Sequence, residues 1–255
     1  MCLIVFANNV HPKYKLIFAA NRDEFYERPT TSAEFWKDHT ELLAGKDLQA
    51  GGTWMGITKK GKFAAITNFR DLKNHKPKAP SRGKITLNFL INNDQPEEYY
   101  NSLKPELNSF NGFNLIFGNI DELYYFSNET GGFQKLNPGI HGISNALLDT
   151  PWPKVEKSKK QIEILLNQNE IHPWEVMNIL YDVTKANDEN LPNTGVGIEL
   201  ERILSPVFIS SEKYGTRCST VVIVDKDNNV RFIEKTYLSG IGTFSNNEYK
   251  FKIEN

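Results

Sequence analysis

The chain is poor in cysteine: Cys2 and Cys218 are the two among 255 residues. That count allows one disulfide at most and excludes a disulfide-stapled scaffold, and two sparse thiols fit a reducing compartment. Long apolar runs are missing too. No stretch approaches the roughly 20 residues needed to cross a bilayer. The first apolar run, "CLIVF", stops at Asn8 and Asn9 without a basic leader. This is not the pattern of a signal peptide, and the expectation is a cytoplasmic protein without membrane insertion. An excess of one charge is also lacking. Thirty Lys and Arg stand against 31 Asp and Glu, a net charge of −1, which gives no electrostatic footprint for nucleic acid. The basic segments "ITKKGKF" and "DLKNHKPKAPSRGK" are broken by turn formers and read as solvated loops. There is no Cys-x-x-Cys-His haem attachment motif. His11, His39, His75, His141 and His172 are scattered, and no acidic or histidine cluster has metal-ligand spacing. No cofactor and no metal are expected.

What is present is a series of short apolar runs joined by turns. "CLIVF" and "KLIFAA" flank a connection containing Pro12 and read as a hairpin. "TWMGIT" with "KFAAITNF", and "NLIFGN" with "ELYYFSN", read as two more. Helical spacing marks "PWPKVEKSKKQIEILLNQN", and also "HPWEVMNILYDVTKAN", with Val176, Ile179, Leu180 and Val183 on one face. Weaker helices cover "GKITLNFLINN" and "PEEYYNSLKPEL". Near the end, "TRCSTVVIVDKDNNVRFIEKTYL" is strand, turn, strand, and "EYKFKIEN" an edge strand. The continuous apolar core of "STVVIVD" suits a strand covered on both faces. The whole chain, 1–255, reads as one α+β domain of layered sheets and flanking helices. Trp36 and Trp54 are assigned to the core, and the glycines of "QAGGTWMG" to a tight turn, since they lack nucleotide-loop spacing.

Two readings of Cys2 compete. Cysteine opens a buried strand well as a small hydrophobe. If Met1 is removed, however, Cys2 carries both a thiol and an α-amine, and an amine with a pKa of about 7.7–8.0 is a ready base for its own nucleophile. The polar run "NRDE" follows the strand that pairs with the Cys2 strand. A hairpin would hold Arg22 and Asp23 near Cys2, where a guanidinium lowers a thiol pKa or holds a carboxylate. Asn68 and Asn145 stand at two further strand ends, and asparagine amides are suitable oxyanion donors. Arg217 opens a late strand, and Cys218 is expected to pack beneath the site beside Arg217.

Taken together, "MC", "ANRDEF", "GGTWMGIT", "ITNFRD", "SRG", "HGISNA", "PWPKV" and "GTRCST" resemble, in this order, the motifs of the NRDE family, the group that includes transport and Golgi organization protein 2. They run from Cys2 to Thr220. The family is similar to N-terminal-nucleophile hydrolases such as penicillin V acylase and bile salt hydrolase. The resemblance implies a four-layer αββα sandwich and catalytic roles for Cys2, Arg22, Asp23, Asn68, Asn145 and Arg217. One departure is that Arg22 and Asp23 are adjacent here, whereas the acylases separate them. The implied activity is hydrolysis of a C–N amide bond in a small molecule, with Cys2 as nucleophile. The alternative from the same family is a non-catalytic carrier of haem or of an acyl-CoA or lipid compound.

Overall fold

The computed structural model describes residues 2–238, 242 and 244–254. In chain order the strands are β1 (Cys2–Asn8), β2 (Tyr14–Phe25), β3 (Thr30–Phe35), β4 (Leu42–Asp47), β5 (Met55–Thr58), β6 (Lys62–Asn68), β7 (Phe113–Asn119), β8 (Glu122–Ser127), β9 (Phe133–Lys135), β10 (Gly139–Ile143), β11 (Tyr214–Asp225), β12 (Asn229–Tyr237) and β13 (Phe244–Lys252). The helices are α1 (Gly83–Ile91), α2 (Pro96–Leu103), α3 (Pro153–Leu165), α4 (Pro173–Ile179) and α5 (Ile198–Leu204). Contacts divide the chain into two compact units. The first comprises Met1–Glu27 and Pro138–Phe251, the second Arg28–Asn137 and Lys252–Asn255. No described helix is long and apolar enough to cross a membrane.

The first unit is a six-stranded sheet in the order β10-β1-β2-β11-β12-β13. The β1–β2 pairing runs from Cys2↔Arg22 to Asn8↔Leu16, and β11 pairs antiparallel with β2 on its other side. Alternation then sorts the side chains onto two faces. Leu3, Val5, Ala7, Ile17, Ala19, Val221, Ile223 and Ile233 share one face and form a buried cluster with Val155 and Ile162 of α3 and Val176, Met177 and Ile179 of α4. Each such aliphatic side chain contributes about 1.5–3 kcal/mol through burial. Cys2, Arg22, Cys218 and Thr236 lie on the opposite face, in one row across four strands. The apolar run of β11 is explained by its place: it is a central strand, buried from Cys218 to Val224. β13 lies at the sheet edge, as its short amphipathic sequence suggests.

The second unit is a seven-stranded sheet in the order β3-β4-β5-β6-β7-β8-β9, antiparallel throughout. Ile85, Phe89 and Leu90 of α1 and Tyr99 and Leu103 of α2 pack with Trp36, Leu115 and Phe117, and Trp54 is partly buried against the same cluster. Both tryptophans therefore serve the core. The "AGG" turn is held by the Asp47 side chain, which accepts from the backbone N–H groups of Gln49 and Ala50, and Gly51 has φ +75°. Each unit thus has a helical layer and a sheet, and the fold is α+β as expected.

Three hairpins form where the runs and turns place them: β1–β2, β5–β6 and β7–β8. Other expectations need correction. "NRDE" does not follow a strand. β2 continues through it to Phe25, because β11 keeps pairing with it as far as Tyr214↔Phe25. Arg217 lies inside β11 rather than at its start. The helix expected through Val183 stops at Ile179. Leu180 and Tyr181 turn, the Asp182 side chain accepts from the Thr184 N–H, and Val183 is 57% exposed. The edge strand β3, with its polar sequence "TTSAEF", and its neighbour β4 were not anticipated.

Close packing of α3 on the sheet depends on one glycine. A Cβ built on Gly142 of β10 would lie 2.6 Å from Val155 Cγ1 and 3.3 Å from the Lys159 side chain. Gly142→Ala is therefore expected to push α3 outward and to cost about 1–3 kcal/mol, measurable as a lowered midpoint in denaturant unfolding.

Candidate active site

Antiparallel register builds the centre of the site. Arg22 on β2 is directly opposite Cys2 on β1 and Cys218 on β11. The two cysteines thus flank Arg22 on one face of the sheet. Two strand spacings put their Cα atoms about 9.5–10 Å apart, beyond the ~7 Å that a disulfide can bridge, and both cysteines are free. The early possibility of a disulfide is thereby removed. Cys218 is buried, as expected, whereas Cys2 is half-buried.

A β-bulge shapes the next position. Thr216 pairs with Asp23 and Cys218 with Arg22, so Arg217 is the extra residue on β11. A bulge changes which way the flanking side chains point. Here it lets Thr216 face Asp23, and the Thr216 hydroxyl donates to Asp23 Oδ1 at 2.7 Å. Arg217 donates from Nη1 to the Phe25 carbonyl at 2.8 Å. Burial lowers its pKa, and the nearby Arg22 guanidinium lowers it further.

Asn145 enters from the other side of β1. Ile143 pairs with Ile4, and the chain then leaves β10 as Ser144 and Asn145. The Ser144 hydroxyl donates to the Cys2 carbonyl at 2.9 Å, and Asn145 is buried. Cys2, Arg22, Asp23, Asn145 and Arg217 therefore belong to one end of the first unit. Asn68 is the last residue of β6, in the second unit.

Electrostatics distinguish the groups. Burial pushes the Cys2 thiol up and the Asp23 carboxylate adds to the rise, while the Asp23 backbone N–H and the Arg22 guanidinium oppose it. A thiol raised in this way is protonated at neutral pH and needs a base to become a nucleophile. Burial also raises the Asp23 carboxyl, to about 6, against the opposing effects of the Lys154 ammonium, the Thr216 hydroxyl and Arg22. Lys154 is itself buried on α3 and donates to the carbonyls of Leu204, at 2.8 Å, and Pro206, at 3.4 Å.

The other members of "NRDE" differ in kind. Asn21 faces the helices and is buried. Its amide donates to the carbonyls of Leu180 and Val207, both at 2.9 Å, and accepts from the Ser219 hydroxyl at 2.6 Å. Tyr237 donates to Ser219 in turn. Asn21 therefore ties the strand to the layer behind it. Sequence reasoning gave no role to Ser144, Lys154 or Thr216. Lys154 sits at the second position of an amphipathic helix and reads as solvated, and a single threonine carries no signal. The motif "PWPKV" marked the place of Lys154 without its function.

The fold is that of N-terminal-nucleophile hydrolases. The chain is similar to the Caenorhabditis elegans ortholog of N-acylethanolamine-hydrolyzing acid amidase, with a TM-score of 0.50 and 11% identity over 86% of this chain and 92% of that one. The C2A mutant of conjugated bile acid hydrolase from Clostridium perfringens gives 0.50 and 10%, over 100% and 97%. At these identities the likeness concerns the fold. The family model for Transport and Golgi organisation 2 matches residues 1–239, and the chain belongs to that family. The mouse Transport and Golgi organization 2 homolog is 33% identical over 277 residues, with both chains covered completely. The Drosophila melanogaster protein is 29% identical, with 92% of each covered.

The raised Asp23 carboxyl has a measurable consequence. The native state holds its proton more tightly than the unfolded chain, so stability is greatest below pH ~4 for this group and falls as pH rises to about 6. The loss amounts to roughly 3 kcal/mol. Asp23→Asn keeps an acceptor for Thr216 and removes the titration. Denaturant unfolding at pH 4 and pH 7 is expected to show a smaller fall for the variant than for the wild type by about that amount.

Proposed function

We propose that the protein is an amidohydrolase in which Cys2, exposed by removal of Met1, attacks the carbonyl of a small amide. Met1 lies outside the described residues. The observation that carries the reading is the pairing of Cys2 with Arg22 at one end of the first unit, beside Asp23 and bonded through its carbonyl to Ser144, the residue before Asn145. The fold shared with an acid amidase and a conjugated bile acid hydrolase supports it.

Burial keeps the thiol protonated, so the α-amine of Cys2 takes its proton as the sulfur attacks and returns it to the leaving amine. The negative charge that develops on the carbonyl oxygen is held by the Asn145 amide and a backbone N–H. Asp23 orients the α-ammonium, and Arg22 and Arg217 supply positive charge for the thiolate or for an anionic substrate group. Water then clears the acyl-enzyme. The alternative of a haem or acyl carrier gains no specific observation from the site. His11 contacts the Gln168 carbonyl, His141 contacts Asp149, and His172 caps α4.

A panel of N-acyl amides, followed by release of the free amine, tests this function. Turnover by protein that begins at Cys2 is expected, with loss of all activity in Cys2→Ala. Asn145→Ala is expected to lower kcat by about 10²–10³-fold. Activity that persists in Cys2→Ala contradicts the mechanism.

A further inference from the structure

One buried acid on the same face as Cys2 takes no part in the chemistry above. Glu234 of β12 is 1% exposed. The register places it opposite Thr220 of β11, which is opposite Ala20 of β2. Two residues further along each strand, the same face carries Thr236, Cys218 and Arg22. Glu234 accepts from the Thr220 hydroxyl at 3.1 Å and from the Thr236 hydroxyl at 3.5 Å. A carboxylate loses its hydration at this depth, and a buried cation on the same face offsets that loss most directly. Arg22 is a buried cation on this face, 6% exposed. The residues between them on this face are Cys218 and Thr220 of β11. Cys218 reports on both charges: Glu234 raises its thiol pKa and Arg22 lowers it, each added to a larger effect of burial.

We propose that Glu234 is the positioning residue for Arg22, a buried counter-ion that draws the guanidinium across Cys218 and fixes its distance from the Cys2 thiol. The functional consequence rests on the reading of Cys2 as nucleophile, but the ion pair does not. Released from Glu234, Arg22 would swing towards Cys2 and hold its thiolate too tightly. The Cys2 pKa would fall, and so would its nucleophilicity.

A double-mutant cycle in the full chain tests the pair without any substrate. Breaking a buried pair from one side leaves a buried charge uncompensated, and replacing both partners does not. Arg22→Met and Glu234→Gln are each expected to lower Tm by on the order of 10 °C, and the double variant to recover to within about 3 °C of the wild type. A double variant that loses the sum of the two overturns the proposal. Should a single variant fail to fold, a folded double variant supports the pair and an unfolded one overturns it. The positioning role is read separately, from the pH dependence of Cys2 alkylation by iodoacetamide, located by peptide mass. Glu234→Gln is expected to lower the midpoint by roughly 0.5–1 pH unit, and to do so much less in the Arg22→Met background. An equal shift in both backgrounds means that Glu234 acts on Cys2 directly, and the positioning role is wrong. Both readouts stand whether or not the protein hydrolyses an amide. Loss of the amidase reading with intact coupling would leave Glu234 as the counter-ion of a non-catalytic site.

Discussion

The register of three strands is the constraint from which the site follows. β2 lies between β1 and β11, and Arg22 lies between Cys2 and Cys218. A slip of one residue would bring Leu3 to the place of Cys2 and turn every apolar residue of β1 to the wrong face. The helix-facing side pins the register. Leu3, Val5 and Ala7 are committed to the cluster under α3 and α4, and Asn21 is bonded to Leu180, Val207 and Ser219. A polar residue buried with such partners fits one register only, because any other leaves them unsatisfied.

The same alternation divides "NRDE" into two kinds of residue. Asn21 holds the strand to the layer behind, and Arg22 stands on the opposite face beside the thiols. Asp23 turns back towards the helices, where the bulge at Arg217 brings Thr216 to meet it. Adjacent positions in a strand point to opposite faces, so Arg22 and Asp23 answer to different surroundings: two thiols for the first, Thr216 and Lys154 for the second. Their adjacency is thus compatible with two separate tasks.

Much of this was legible in the residues. Apolar runs with intervening turns marked β1–β2 and β11–β12, and antiparallel pairing then required Cys2 to meet the far end of β2. What could not be read depends on partners distant in sequence. β2 runs through its polar end because β11 continues the ladder. The bulge is visible only in the register of two strands. Lys154 is buried because carbonyls at the end of α5 and just beyond it receive its ammonium, and nothing near it in sequence indicates this. α4 ends early because Asp182 organises a turn, although the apolar spacing continues to Val183.

The account turns on whether Cys2 is the first residue of the working protein. Intact-mass measurement of the protein isolated from its native cells, before and after brief exposure to an N-acyl amide, is the most direct test. The account predicts a mass lacking one methionine residue, and a further species carrying the acyl group on Cys2. A native protein that retains Met1, and forms no adduct, would contradict it.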